Sequence, residues 1–401
     1  MFTLISGGVT APNGFKAAGV EAEIKNKNKK DLAIIFSEKP AAAAAVHTLN
    51  RVKAAPILVN QEHLANGQAQ AIVVNSGNAN ACNGEQGVAD ARRIAALAAE
   101  LLGIAPQDVL VASTGVIGQP LPMERIEKGI REAVQKLDKA GGTAAAEAIM
   151  TTDTFKKELA IEITIQGKTV KIGAMAKGSG MIHPHMATML AFLTTDAAVT
   201  PTALQQAIRT ATEQSFNLVT VDADMSTNDT AIILANGLAG NQPLTENSID
   251  FPQFQAAVTF VCVELAKKIA RDGEGATKLI EVQVKHAPTR QDARTAALAV
   301  VKSNLVKSAI FGKDANWGRI LAAIGSSAAE FRPDQVDIWL GEVQVAADGS
   351  GLPFDEEAAR QVLARPEVVI TVDMKLGDAE ATAWGCDLTY DYVKINASYR
   401  S

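Results

Sequence analysis

Residues 177–197, KGSGMIHPHMATMLAFLTTDA, form the most unusual segment of the chain. His183 and His185 flank a proline, and an HxH pair can bind a metal, but no third ligand cluster accompanies it. The same histidines could act as bases for a serine or threonine. Histidines in such a segment are most often solvated or satisfied within a core. Three interpretations of this pair therefore stay open.

Thr188 stands at the head of the apolar stretch and offers a hydroxyl nucleophile. A threonine hydroxyl is a weak nucleophile unless a base takes its proton. When the threonine is the first residue of a chain, its α-amino group, with a pKa of about 7.7–8, can be that base. The Ala187–Thr188 bond would have to be cut first, which the small preceding residue and the Gly-rich approach would permit. From the residues alone, Thr188 is not separable from Thr194 or Thr195, and a threonine that merely begins a helix is favoured.

Two further segments of small residues follow apolar runs. Residues 76–87, SGNANACNGEQG, lack GxGxxG spacing and a Walker lysine, so they indicate a nucleotide site only weakly. The alternative is a turn with left-handed Asn and Gly residues. Residues 113–118, STGVIG, predict a turn that could aim backbone N–H groups and the Thr114 hydroxyl at a developing negative charge. Such turns are also plain connectors.

Strands and helices in irregular order must position these segments. Apolar, β-branched runs predict strands at Leu32–Phe36, Ala71–Asn75, Ala160–Ile165, Ala231–Ala235, Ile280–Val284, Val336–Leu340 and Val368–Val372. Longer amphipathic runs predict helices at Val88–Leu102, Met123–Leu137, Pro201–Ser215, Phe254–Asp272, Arg290–Ser303 and Asp355–Leu363. Thr200 is the expected N-cap of the third of these helices. The mixture predicts an α/β or α+β fold rather than a doubly wound sheet.

Composition excludes several classes of protein. The 401 residues carry a net charge of −6 and are 4% aromatic, which argues against nucleic-acid binding. The basic run of residues 25–30, KNKNKK, predicts a solvated loop. Three distant cysteines predict neither a disulfide framework nor a CxxC metal pair. The apolar runs are too short to span a bilayer, and no signal peptide is expected at the N-terminus.

Together, these segments resemble a known family, the bifunctional glutamate N-acetyltransferases of arginine biosynthesis, also called ornithine acetyltransferases. The segment centred on MATML resembles the family's self-processing motif. Further similar segments occur in family order along nearly the whole chain: SGNANACNG at 76–84, STGVIG at 113–118, MTTDT at 150–154, DGEGATK at 272–278, FGKDANWGRI at 311–320 and the C-terminal INASYRS.

The resemblance implies a self-cleaving acetyltransferase. The precursor would be cut between Ala187 and Thr188 into chains of residues 1–187 and 188–401, which would assemble as α2β2. Thr188 would be the nucleophile. It would take the acetyl group from N-acetylornithine and pass it to glutamate in a ping-pong reaction. Acetyl-CoA is a further candidate donor, because family members differ in its use.

The resemblance also implies roles for individual residues. Thr114 and Gly115 would form the oxyanion hole. Substrate-binding positions would be Thr151, Lys177, Thr188, Glu274, Asn396 and Ser401. Of these, Lys177 is expected near the substrate carboxylate and Glu274 near the ammonium. The family does not fix the two histidines, which argues against a catalytic histidine, and residues 76–84 are expected to shape the interior.

The implied fold is an α/β (α+β) ornithine acetyltransferase-like fold with mixed sheets and flanking helices. We expect domains at residues 1–270 and 271–401, no metal or organic cofactor, no nucleic-acid or membrane partner, and a cytoplasmic location. Two alternatives stay open: a self-processing aminopeptidase-like hydrolase of the same fold, and a binding protein with an intact chain.

Overall fold

The computed structural model describes residues 2–25, 28–183 and 189–398. They divide into two compact units. The first contains the chain up to Gly178, a segment ending at Asn217, and Met225–Leu265. The second contains a short segment beginning at Ser179, Leu218–Asp224, and the chain from Ala266 onward.

Two sets of elements build these units. The strands are β1 (Thr3–Ile5), β2 (Phe15–Val20), β3 (Leu32–His47), β4 (Gln68–Asn78), β5 (Val109–Val116), β6 (Lys157–Ile165), β7 (Lys168–Lys177), β8 (Leu190–Thr195), β9 (Val219–Thr220), β10 (Thr230–Ala235), β11 (Leu279–Ala287), β12 (Asp337–Leu340), β13 (Val343–Ala347), β14 (Ser350–Gly351), β15 (Glu367–Asp373) and β16 (Ala379–Cys386). The helices are α1 (Ala55–His63), α2 (Gly84–Leu102), α3 (Met123–Gln135), α4 (Gly142–Ala148), α5 (Pro201–Glu213), α6 (Phe251–Arg271), α7 (Arg290–Lys302), α8 (Asn304–Gly312), α9 (Trp317–Gly325), α10 (Glu356–Ala364) and α11 (Tyr390–Ala397).

Each unit has its own mixed sheet. In the first unit the described strands follow the order β1-β6-β7-β8-β10-β3-β4-β5, with β2 also paired to β3. The pairs β8–β10 and β4–β5 are parallel, and the other pairs are antiparallel. In the second unit the order is β14-β13-β12-β15-β11-β16-β9. Neither sheet is doubly wound, which confirms the mixed α/β prediction.

Burial on both faces explains why central strands of the first sheet are continuously apolar. In β3, Leu32 and Ile34 belong to one apolar cluster, which includes residues of α2 and α3. Ala33 and Ile35 belong to the other, which includes residues of α4. Successive side chains of a strand alternate between faces, so helices on both sides require a run without polar residues.

The predicted strands and helices are all confirmed, although several are longer than predicted. The helix α5 begins as expected, with the Thr200 hydroxyl accepting a hydrogen bond from the Ala203 N–H at 3.4 Å. The largest difference is β3. It continues through the alanine run at 41–45, because Ala41 and Ala42 pair with β4 and residues 42–45 pair with β10.

Candidate active site

The end of β5 carries Thr114 and Gly115 in a bulged part of the first sheet. Gly77 on β4 lies opposite Gly115, next to a shift in register. Gly115 has a φ of +134°, and a Cβ atom there would lie 2.3 Å from the carbonyl carbon of Gly77. Only glycine allows both that conformation and that approach. The turn predicted at 113–118 is wrong for residues 113–116, which continue the strand.

Thr114 and Lys177 meet inside the first unit. Thr114 is 4% exposed on β5, and Lys177 is 2% exposed as the last residue of β7. The Lys177 Nζ donates to the Thr114 hydroxyl oxygen at 3.5 Å. An ammonium group beside Thr114 brings positive charge to the residue expected to stabilise an oxyanion. The strands β5 and β7 thus bring together two of the residues singled out by the resemblance.

Asp153 organises the surroundings of Lys177 and was missed by the sequence analysis. Its carboxylate lies 2.7 Å from the Lys157 Nζ and 3.9 Å from the Lys177 Nζ. It also accepts hydrogen bonds from the N–H groups of Thr151, at 3.0 Å, and Gly178, at 2.8 Å. All three charged side chains are buried. The i, i+4 spacing of Asp153 and Lys157 was the only available signal.

The charges in this cluster keep the carboxylate ionised. Burial opposes ionisation of Asp153, but the ammonium groups of Lys177 and Lys157 outweigh it. Together with the hydrogen bonds, they hold the pKa of that carboxyl well below its usual range. Two ammonium groups share one carboxylate, so Asp153, Lys157 and Lys177 together carry a net positive charge.

Thr151 stands at the edge of this cluster. Its side chain is half-buried, and its backbone N–H is held by Asp153. The carbonyl oxygen of the preceding residue, Met150, accepts a hydrogen bond from the Lys25 Nζ. The carbonyl and the N–H of the Met150–Thr151 peptide are therefore both held by charged side chains.

Residues 76–84 have structural roles. The turn predicted at 76–87 is wrong for residues 76–78, which end β4, and for residues 84–87, which begin α2. Between them, Asn80 and Cys82 take the positive φ angles expected for left-handed residues. The Asn78 Nδ2 donates to the carbonyl oxygens of Gln119 and Pro120, and the Asn80 Nδ2 donates to that of Gly87. Amide side chains thus satisfy the polar backbone of neighbouring loops.

Glu274 and Asn396 pair within the second unit. The Asn396 Nδ2 donates to the Glu274 carboxylate at 2.8 Å. Glu274 is 6% exposed, and its carboxylate lies against the Cα of Gly180, where a Cβ atom would come within 2.4 Å of it. Its backbone N–H donates to the carbonyl oxygen of Ser179. The structure therefore brings these two predicted substrate-binding residues into contact.

Residues 181–183 are tightly held in the second unit. Asp222 accepts hydrogen bonds from the N–H groups of Met181, at 2.6 Å, and Ile182, at 2.8 Å. Burial raises the pKa of Asp222 above its usual value, against the effect of these N–H donors. His183 Nδ1 lies 3.4 Å from the Thr220 hydroxyl oxygen. The chain that leads to the predicted cleavage point is thus held through its backbone N–H groups by the Asp222 carboxylate.

Asp229 holds the chain on the other side of that point, within the first unit. Its carboxylate accepts the Met189 N–H at 3.1 Å. Asp229 is fully buried, and burial raises the pKa of its carboxyl well above the usual range despite that hydrogen bond. Sequence analysis missed Asp229, because a single acidic residue before a strand carries no distinctive spacing.

Ala187, Thr188, His185 and Ser401 lie outside the described residues. Within the described ranges, no three His, Cys, Asp or Glu side chains are grouped as metal ligands would be. None of the helices in those ranges combines the length and hydropathy needed to cross a membrane.

A threonine next to a glycine with a positive φ, with a buried lysine donating to its hydroxyl, suits an enzyme that transfers acyl groups. Comparisons with known proteins agree with this class. The ArgJ family model matches residues 16–401. The arginine biosynthesis bifunctional protein ArgJ of Symbiobacterium thermophilum is 60% identical over 399 residues, which are 99% of each chain. The protein of that name from Bacillus subtilis is 51% identical over 398 residues, 99% of this chain and 97% of the other.

A solved structure is also similar. The crystal structure of arginine biosynthesis bifunctional protein ArgJ from Bacillus halodurans aligns at 47% identity, with a TM-score of 0.50. The alignment covers 51% of this chain and 97% of that one. The present chain therefore belongs to the ArgJ family. It is a bifunctional enzyme of arginine biosynthesis and an acyltransferase.

Proposed function

We propose that the enzyme transfers the acetyl group of N2-acetylornithine to glutamate through an acetyl-Thr188 intermediate. The Thr188 hydroxyl attacks the acetyl carbonyl, and its proton passes to the Thr188 α-amine and then to the leaving amine of ornithine. The α-amine of glutamate then attacks the acetyl ester and regenerates the hydroxyl. The observation that carries the proposal is the contact of Lys177 with Thr114, next to Gly115.

Thr114 and Gly115 are proposed to stabilise the oxyanion of each tetrahedral intermediate. One oxyanion-hole donor is worth about 3–4 kcal/mol of transition-state stabilisation. The buried ammonium of Lys177 supports this role, because its interaction with a developing charge is stronger away from water. Asp153 keeps that ammonium in place through the ion pair at 3.9 Å.

We propose that Thr188 acquires its free α-amine by self-cleavage at Ala187–Thr188. The products would be chains of residues 1–187 and 188–401. The solved ArgJ chain supports this, because 97% of it aligns with only 51% of the present chain. Further support comes from the anchors on both sides. Asp222 holds Met181 and Ile182, and Asp229 holds Met189, so described residues on each side of the proposed bond are held by a carboxylate.

Glu274 and Asn396 are proposed to bind the end of the substrate that differs between donor and acceptor. N2-acetylornithine has a distal ammonium there, whereas glutamate has a distal carboxylate. The Glu274 carboxylate suits the ammonium. The Asn396 amide donates its two N–H groups to Glu274 and to the carbonyl oxygen of Tyr392, and one of them would turn to the carboxylate when glutamate binds. Their hydrogen bond at 2.8 Å keeps both groups side by side. Thr151 and Ser401 are proposed as further substrate-binding residues.

Three features of the enzyme remain proposals from the resemblance alone. They are the α2β2 assembly, a cytoplasmic location, and the use of acetyl-CoA as a second donor to glutamate. The domain division at residue 270 also stays a prediction.

The test is a product assay combined with a denaturing gel. Purified enzyme is incubated with N2-acetylornithine, with and without glutamate. We expect two fragments on the gel, and acetylglutamate only when glutamate is present. Release of acetate at the same rate without glutamate would instead indicate a hydrolase. A single band of 42.1 kDa in an active sample would contradict self-cleavage.

A further inference from the structure

The basic run of residues 25–30 is not uniformly solvated. Residues 28–30 are exposed, as the sequence predicts, whereas Lys25 is half-buried. The solvated-loop prediction is therefore wrong for Lys25.

Asp31 fixes the backbone that carries Lys25. Its fully buried carboxylate accepts three N–H groups, those of Ala22 at 2.6 Å, Ile24 at 2.6 Å and Lys25 at 2.9 Å. Three donors converging on one carboxylate hold the backbone at residues 22–25 in place. The direction of the Lys25 side chain is thus determined by the fold.

The Lys25 side chain runs over the glycine that faces the proposed oxyanion hole. Its Cγ would lie 2.6 Å from a Cβ atom at Gly77, and Gly77 pairs with Gly115. Its Nζ donates to the carbonyl oxygens of Met150, at 2.5 Å, and Lys30, at 3.3 Å. Lys25 makes no ion pair with a described residue. The ammonium group therefore has one donor left and no carboxylate bound to it.

Electrostatics connect Lys25 to the cluster around Lys177. Burial lowers the pKa of the Lys25 ammonium to about 8, and the Lys177 ammonium adds to this shift, whereas Asp31 and Asp153 oppose it. A half-buried cation close to a second cation is costly unless an anion joins them. Both lysines contact residues of the β4–β5 bulge, Lys25 at Gly77 and Lys177 at Thr114.

We propose that Lys25 binds the α-carboxylate of N2-acetylornithine and of glutamate. This inference rests on the proposed function. In both compounds the α-carboxylate and the nitrogen that carries the acetyl group are attached to the same carbon. A carboxylate-binding cation must therefore lie close to the oxyanion hole. The Lys25 stem passes Gly77, opposite Gly115, and its ammonium is held at the Met150 carbonyl, next to Thr151. Lys25 would thus share with Lys177 the carboxylate-binding role that the resemblance implies for Lys177, in both half-reactions.

The competing explanation is that Lys25 only positions Thr151 through the Met150 carbonyl. A substrate without the carboxylate separates the two explanations. N-acetylputrescine is N2-acetylornithine with the carboxylate replaced by hydrogen. Lys25→Met keeps most of the stem over Gly77 and removes the charge, and Lys29→Met is the matched control at an exposed position of the same run.

The experiment measures kcat and KM of the processed enzyme with each donor. For Lys25→Met we expect kcat/KM for N2-acetylornithine to fall by roughly tenfold to a hundredfold, mainly through KM, which is the usual range for a charged hydrogen bond. With N-acetylputrescine the same variant should change by less than about twofold. Lys29→Met should match the wild-type enzyme with both donors.

Other outcomes would overturn the proposal. An equal loss with both donors would show that Lys25 acts through Met150, and unchanged kinetics with N2-acetylornithine would exclude any role. A wild-type enzyme that makes no acetylglutamate would refute the proposed function itself.

A pH series tests the proposal even if Lys25→Met folds poorly. The charged groups that affect the pKa of Lys25 are Asp31, Lys177, Asp153 and Lys29. The wild-type KM for N2-acetylornithine should rise above a pH of about 8 as Lys25 loses its proton, whereas in Lys25→Arg this rise should disappear because guanidinium stays charged. The same rise in both enzymes would refute the assignment.

Discussion

Replacing Asp153 with asparagine removes the one carboxylate that Lys157 and Lys177 share. The two ammonium groups stay buried, and Lys157 loses an ion pair of 2.7 Å in which both side chains have no exposed surface. Removing one partner of a buried ion pair typically costs about 3–5 kcal/mol, because the other charge is left uncompensated. At about 2 °C per kcal/mol for a unit of this size, Asp153→Asn should melt roughly 6–10 °C below the wild-type enzyme.

The assay is thermal unfolding of processed enzyme by circular dichroism at a fixed scan rate. Glu62→Gln is the matched control, since it removes an ion pair with Arg92 in which both side chains are more than half exposed. That control should shift the melting temperature by less than about 2 °C. An Asp153→Asn enzyme that melts as the control does would refute the claim that this carboxylate holds two buried cations.

The pH dependence gives a second check on Asp153. Because its pKa in the folded protein is depressed, its contribution to stability is complete above the unfolded pKa of about 3.9. The contribution is lost as the pH falls from there toward the folded pKa. The difference in melting temperature between wild type and Asp153→Asn should therefore be constant near neutral pH and shrink below a pH of about 4. A difference that grows in acid would contradict the sign of the shift.

Three further changes test other parts of the site. Gly115→Ala should abolish transfer and lower the melting temperature. The control Gly118→Ala, at a φ of +76° with open space around it, should lower the free energy of unfolding by only about 1 kcal/mol. Both variants are compared by kcat and by thermal unfolding. At pH 8, Asp229→Asn should melt at the same temperature as the wild-type enzyme or at a higher one, and the difference should vanish toward pH 4. The raised pKa makes the wild-type carboxyl destabilising above the unfolded value, so a much lower melting temperature at pH 8 would contradict this. Glu274→Gln should raise KM for N2-acetylornithine by tenfold or more, whereas KM for glutamate should stay the same or fall, because a like charge beside its distal carboxylate is removed. An equal rise for both substrates would argue against selective ammonium binding.

Local patterns were sufficient to predict the individual elements but not their pairing. An apolar, β-branched run predicted the strand around Leu32, and a capping signal predicted the N-cap at Thr200, because those signals depend on neighbouring residues. The alanine run at 41–45 was missed as part of β3. Alanine favours helices by intrinsic propensity, and pairing with β10 and β4 makes this segment a strand.

The candidate site was predictable only through resemblance. No spacing in the sequence connects Thr114 with Lys177, or Glu274 with Asn396, because each pair is formed by elements far apart along the chain. Asp153 and Lys25 were missed for a related reason. A charged side chain is usually solvated, and its burial becomes apparent only when the strands around it are assembled.

The most direct test of the account is the mass of the processed chains after incubation with N2-acetylornithine alone. A covalent acetyl-Thr188 intermediate predicts a fragment that begins at Thr188 and is heavier by one acetyl group, located on Thr188 by fragmentation. Adding glutamate should remove that group and yield acetylglutamate. Transfer that proceeds with no acetylated fragment, with the acetyl group on another residue, or with an uncut chain would contradict the proposed mechanism.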